Sequence, residues 1–147
     1  MVDPVHDKFL ASLAPSQVPV WSFAYWMHMT GHTFRMEPWS KAPTSTQFKK
    51  YSDNGDLYVW DPLENRWDRY EVKQRQQKDF RLVYPDKDFV IDGLYQFDRK
   101  SPGPDYYIAV NQTMTYFARL DVKQTRHKWF VKDGYNKFTK KEQPNYY

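Results

Sequence analysis

The 147-residue chain contains no cysteine, which excludes disulfides, thiolate metal sites and thiol nucleophiles together. Glycine is scarce, at five residues, and this argues against solenoid and collagen-like arrays. No apolar run approaches the roughly 18 residues of a membrane-spanning helix, so no transmembrane segment is expected. The start, Met1-Val2-Asp3-Pro4-Val5-His6-Asp7, lacks a basic and then apolar leader, so no classical secretion signal is expected. The expected location is intracellular or intravirion, with the organelle open. No nucleophile elbow, phosphate-binding glycine loop, dinucleotide fingerprint or fixed-period repeat occurs. Aliphatic side chains are few as well: Val, Ile and Leu together number 20.

What the chain has instead is rings. Six Trp, 12 Tyr and 10 Phe supply most of its large apolar surface. Each can bury roughly 150–250 Å², enough to hold the chain on the folded side of its composition. The core, the surface or both must then be aromatic.

Charge is unevenly placed. The net charge is +4, yet residues 119–147 alone carry eight basic and three acidic side chains. A basic end on a neutral body points to contact with an acidic surface, whether nucleic acid, an anionic membrane face or an acidic patch on another protein subunit.

Along the chain, Asp3 can cap and Pro4 can open a helix whose apolar face is Val5, Phe9, Leu10 and Leu13, with Pro15 as its stop. After Pro19 the period becomes two. Trp21, Phe23, Tyr25, Met27 and Met29 alternate with smaller or polar residues, apart from Trp26, as in a half-buried strand. A turn at Thr30-Gly31-His32 leads to a return strand through Phe34 and Met36. Turn chemistry then recurs at Asp53-Asn54-Gly55-Asp56, Asp61-Pro62-Leu63-Glu64-Asn65, Pro85-Asp86-Lys87-Asp88, Ser101-Pro102-Gly103-Pro104-Asp105 and Asp133-Gly134. Phe89 to Phe97 reads as a strand. The run from Tyr106 to Val122 is too long for one strand, so a bend or bulge is expected near Asn111-Gln112. The expected fold is mainly β, an antiparallel meander forming a small barrel or two-sheet sandwich with one short N-terminal helix. Residues 1–139 make a single domain and 140–147 a basic, Tyr-ending arm.

A non-catalytic role follows as the expectation: a subunit or adaptor of a larger assembly, such as a virion component or an accessory subunit of an organellar complex. It would dock through exposed Trp26, Trp39, Trp60, Tyr146 and Tyr147, because Tyr and Trp bury large areas with few rotatable bonds. Three alternatives stand beside it. A single-stranded nucleic-acid site would use Arg119, Lys123, Arg126, Lys128, Trp129 and Lys132, with rings for bases and cations for phosphates. A barrel could enclose a hydrophobic or pigment-like ligand. A hydrolase would need acids such as Asp88, Asp92 and Asp98 paired across strands, or a metal held by His28, His32 and Glu37. The competing reading of those three residues is ordinary polar groups near a turn, and no cofactor is expected. Asn111-Gln112-Thr113 matches a glycosylation acceptor, without a secretion signal to give it force.

Overall fold

The computed structural model describes residues 4–36 (side chains from Gln17), 56–74, 80–81, 89–100, 103–136 (side chains to Gly134) and 140–147. Its first element, α1 (Pro4–Met29), is a single helix of 26 residues. It passes through Pro15, expected to be its end, and takes in the segment expected to be a strand. Proline removes a backbone donor and costs about 3 kcal/mol inside a helix. Tertiary packing offsets that cost: Pro19 is itself buried, and Val20, Phe23, Ala24 and Met27 after it enter the core. The helix ends at the expected Thr30-Gly31-His32 turn, where Gly31 has a φ of 80° that favours glycine. There His32 N–H donates to the Met27 carbonyl (2.9 Å) and Gly31 N–H to the His28 carbonyl (3.1 Å), the paired bonds of a left-handed helix cap.

Two sheets follow. The first contains β1 (Phe34–Met36), β2 (Leu57–Asp61), β3 (Arg66–Gln74), β5 (Tyr106–Val110) and β6 (Phe117–Asp121), in the order β1-β2-β3-β5-β6. The second contains β4 (Asp92–Gly93), β7 (Val131–Asn136) and β8 (Lys141–Tyr146), in the order β4-β8-β7. Short helices α2 (Leu94–Arg99) and α3 (Val122–Thr125), the latter extended by a 3-10 turn at Arg126–Lys128, complete the described chain. The protein is mainly β, with two sheets and an N-terminal helix. Neither sheet closes into a barrel among the described residues. The pairing is antiparallel except at β3–β5, which is parallel and departs from a simple meander.

Several turns fall where the sequence puts them. In the β2–β3 hairpin Asp61 Oδ1 accepts from Leu63 N–H (2.9 Å) and Glu64 N–H (3.2 Å). The long run after Tyr106 is broken at Asn111, as expected, but by a full reversal into β6 and not by a bend. Two expectations fail. Residues 94–99 of the proposed Phe89–Phe97 strand are helical, and Asp133-Gly134 lies inside β7. Gly134 serves close packing there: a Cβ would collide with the Asn145 amide. Trp39, Glu37, the Asp53-Asn54-Gly55 turn and the Pro85–Asp88 turn lie outside the described residues.

Period two on the strands sorts the first sheet into two faces. Leu57, Val59, Tyr70, Val72, Ile108 and Val110 pack against Val20, Phe23, Ala24 and Met27 of α1. Tyr107, on the other face of β5, joins Ile91 and Tyr146 in a second core, with Phe97, Leu120 and Trp129 around it.

Asn111 is completely buried, so the acceptor pattern at 111–113 presents no accessible amide. Its Nδ2 donates to the Phe80 carbonyl (2.8 Å), and its Oδ1 accepts from Thr115 N–H (2.8 Å) and Tyr116 N–H (3.2 Å). Truncation removes the buried amide and the bonds it makes to the Phe80 carbonyl and to the part-buried Thr115 and Tyr116 N–H groups. Asn111→Ala is expected to cost about 2–4 kcal/mol in urea denaturation. A cost below about 0.5 kcal/mol, the scale of an ordinary surface change, would contradict this account of the loop.

Candidate functional site

The helix that covers the first sheet is apolar on both sides. No Asp, Glu, Lys or Arg occurs between Lys8 and Arg35. One side is the buried seat; the other carries Val18 (41% exposed), Trp21 (58%), Tyr25 (66%), Trp26 (45%) and Met29 (64%). At 100° per residue, Val18, Ser22, Tyr25 and Met29 lie within about 60° of arc, with Trp21 and Trp26 on either flank. Trp26 bridges the two sides: its ring lies 5.9 Å from Phe23 and 5.6 Å from Phe117, while nearly half of the residue stays exposed.

Of the five aromatics expected to dock, the structure therefore exposes Trp26. Trp60 is half-buried, its ring 5.4 Å from that of its cross-strand partner Trp67. Tyr146 must be corrected: it is buried, and its hydroxyl donates to Asp98 Oδ1 (2.9 Å). Residues Lys141–Tyr146 form the middle strand of the second sheet and do not stand off as an arm. Tyr147 continues that pairing, exchanging backbone bonds with Phe130 (3.1 and 2.9 Å) and stacking on its ring at 5.7 Å. Sequence reasoning missed Trp21, Tyr25 and Met29, which it set on the buried side of a strand. The spacing 18, 21, 25, 29 was the available signal.

The proposed nucleic-acid residues are spread over β6, α3, the 3-10 turn and β7. Trp129, the ring meant for stacking, packs against Phe97 (5.1 Å, edge-on), and its indole N–H donates to Thr125 Oγ1 (3.0 Å). The Arg126 guanidinium lies over Phe97, Trp129 and Tyr146, at 5.6, 5.0 and 4.6 Å from their centroids. Arg119 lies over Tyr106 at 5.1 Å, and Lys132 over Tyr147 at 5.7 Å. Lys123 and Lys128 are exposed.

His28 lies in the last turn of α1 and not on a hairpin, and Glu37 lies outside the described residues. His32 Nδ1 bonds with Thr30 Oγ1 (3.0 Å), and no group of three or more His, Cys, Asp or Glu suited to a metal occurs among the described residues. Of the acids considered for hydrolysis, Asp98 is held by Tyr146, Asp88 lies outside the described residues, and Asp92 is buried.

Asp92 belongs to an ionic cluster between the sheets. Its Oδ2 accepts from Lys100 Nζ (2.7 Å) and the Tyr107 hydroxyl (2.9 Å), while its Oδ1 accepts from Gly93 N–H (2.9 Å) and faces Lys73 Nζ at 3.4 Å. Lys100 Nζ also lies 3.3 Å from Glu71 Oε1. Burial would raise the Asp92 carboxyl. The charges of Lys73 and Lys100 and the bonds from Lys100 and Tyr107 outweigh it and hold the carboxyl below its ordinary value. Burial alone would lower the Lys100 ammonium, but Glu71 and Asp92 raise it well above its ordinary value. The Tyr107 hydroxyl, raised by burial and then by Asp92 and Glu71, stays neutral and donates. Lys100 and Asp92 are thus both held in their charged forms and join β3, β4 and β5.

Among the described residues, no helix is long and apolar enough to cross a membrane.

Lys100→Met leaves two buried carboxylates short of countercharge and is expected to cost about 3–5 kcal/mol at neutral pH, read by urea denaturation. For Asp92 the folded-state value lies below the unfolded one. Its contribution is therefore complete above about pH 5 and is lost as pH falls through the folded value. The native chain should lose stability between about pH 5 and about pH 3 more steeply than Asp92→Asn. Parallel curves would remove Asp92 as the acid-sensitive group.

Comparison with protein-family models, with curated proteins and with solved structures finds no match to this chain.

Proposed function

We propose that this chain is a non-catalytic subunit or adaptor of a larger assembly, docking on another protein surface through the outer face of α1. The observation that carries this reading is the uncharged stripe Val18, Trp21, Tyr25, Trp26 and Met29, exposed opposite the face that seats the helix. Burying such a stripe desolvates no charge, and its Trp and Tyr rings are the side chains that most often dominate docking energies. Exposed Lys123, Lys128, Lys132, Lys140 and Lys141 lie away from it, on α3, the 3-10 turn and the second sheet. They act at a distance, orienting an acidic partner while the neutral stripe supplies the buried contact. The nucleic-acid alternative retains these cations but loses Trp129, which is committed to packing.

Incorporating a photoreactive phenylalanine analogue at position 25 tests the reading. The expected result is a discrete protein adduct in the native extract, with none when the same group stands at Leu63, which is 94% exposed at the β2–β3 turn. Equal labelling from both positions, or adducts to nucleic acid or lipid alone, would overturn it.

A further inference from the structure

We infer that the outer face of α1 pairs with the same face of a second copy of this chain, the two helices running antiparallel about a two-fold axis. The inference rests on the docking reading above and names its occupant. Three features of the face carry it.

The first is charge. A two-fold pair sets residue i of one copy against residue j of the other, so a charge on the face must meet an opposite charge at j or be buried unpaired. This face has no Asp, Glu, Lys or Arg along Phe9–Met29, and self-pairing meets no such penalty.

The second is shape. A two-fold axis level with Phe23 and Ala24 sets residue n of one helix level with residue 47 − n of the other. Ser22 then meets Tyr25, and Val18 meets Met29, a smaller side chain against a larger one at each level. Trp21 and Trp26 fall on opposite flanks and close the sides of the contact. The parallel arrangement would instead set Tyr25 against Tyr25 and leave Ser22 against Ser22, with a clash and a gap.

The third is area. The exposed parts of the five apolar side chains amount to roughly 600 Å², so a symmetric pair removes about 1,200 Å² from water, the lower bound of stable protein interfaces. That size fits a reversible dimer.

The experiment uses the full chain and exploits its lack of cysteine, since any introduced thiol is unique. Sedimentation equilibrium should show a monomer–dimer equilibrium with a dissociation constant in the micromolar range, weakened at least about tenfold by Tyr25→Arg. Far-ultraviolet circular dichroism of the variant should match the native spectrum, because Tyr25 is two-thirds exposed. Geometry is read with a short bismaleimide. In the antiparallel pair, Ser22→Cys residues of the two copies lie about 5 Å apart along the helix axis and link. Val18→Cys residues lie about 16 Å apart along that axis and do not, whereas a mixture of Val18→Cys and Met29→Cys chains does.

A dimer unaffected by Tyr25→Arg, or linking of Val18→Cys to itself, would overturn the antiparallel pair. A chain that stays monomeric while the position-25 probe still forms its adduct with a different protein would remove the second copy and leave the docking reading standing. Monomer without any adduct would remove both. A monomer whose indole emission shifts to the blue on phosphatidylcholine vesicles would replace the second copy with a lipid surface.

Discussion

Phe23 is the point on which the first sheet closes. Its ring lies 5.6 Å from Tyr70 on β3 and 5.4 Å from Phe117 on β6, so one side chain of α1 reaches across β5, the strand between them. The sheet has no second cover for that face among the described residues: Leu57, Val59, Val72, Ile108 and Val110 all turn toward the helix. With only 20 aliphatic residues in the chain, the helix must supply the missing apolar volume in a dense run. This explains why two prolines are tolerated inside it. Burial of Val20, Phe23, Ala24 and Met27 at about 1.5–3 kcal/mol for each large side chain exceeds what the lost backbone bond and ring clash cost.

The second constraint is the buried charge between the sheets. β3 and β5 are neighbours, yet the chain between them leaves the first sheet to form β4 and α2 before returning. Asp92 on β4 meets Tyr107 on β5 and Lys73 on β3, and Lys100, just past α2, completes the contact with Glu71. A carboxylate that needs two ammonium groups and a phenol at once tolerates no sliding of one sheet on the other. Buried ion pairs of this kind contribute little net stability against an apolar alternative of the same shape. The cluster adjoins the edge-to-face contacts of Phe97 with Trp129 and Tyr146 and of Tyr107 with Trp129.

The residues show why some of this was legible in the sequence and some was not. Gly31, the Asp61–Asn65 turn and the break at Asn111 announce themselves locally, because positive φ and short-range side-chain bonds are properties of two to five residues. Mainly-β character followed from the same punctuation. The helix from Pro15 to Met29 did not, for a physical reason: a helix that is apolar on both sides offers no polar phase from which to read 3.6. Trp21, Phe23, Tyr25, Met27 and Met29 then satisfy a period of two equally well. Trp26 stood out as exposed under the wrong secondary structure, since it broke the alternation. Tyr146 failed in the opposite direction: its basic, proline-containing neighbourhood looks like a tail, and only the pairing of β8 with both β4 and β7 turns it inward. The Asp92 cluster joins residues 36 positions apart in sequence, which no local pattern encodes.

Ring count alone does not separate core from docking surface; their neighbours do. Around the second sheet, Arg126 of the 3-10 turn lies over Phe97, Trp129 and Tyr146, and Lys132 lies over Tyr147. Those rings gain their cation within the chain, which satisfies the electron-rich ring faces and shields the cluster from water without a ligand. The outer rings of α1 have no Lys or Arg beside them in sequence to play that part, since the nearest such residues are Lys8 and Arg35. The uncharged stretch that lets α1 seat itself on the first sheet is therefore the same property that leaves its other side apolar and exposed.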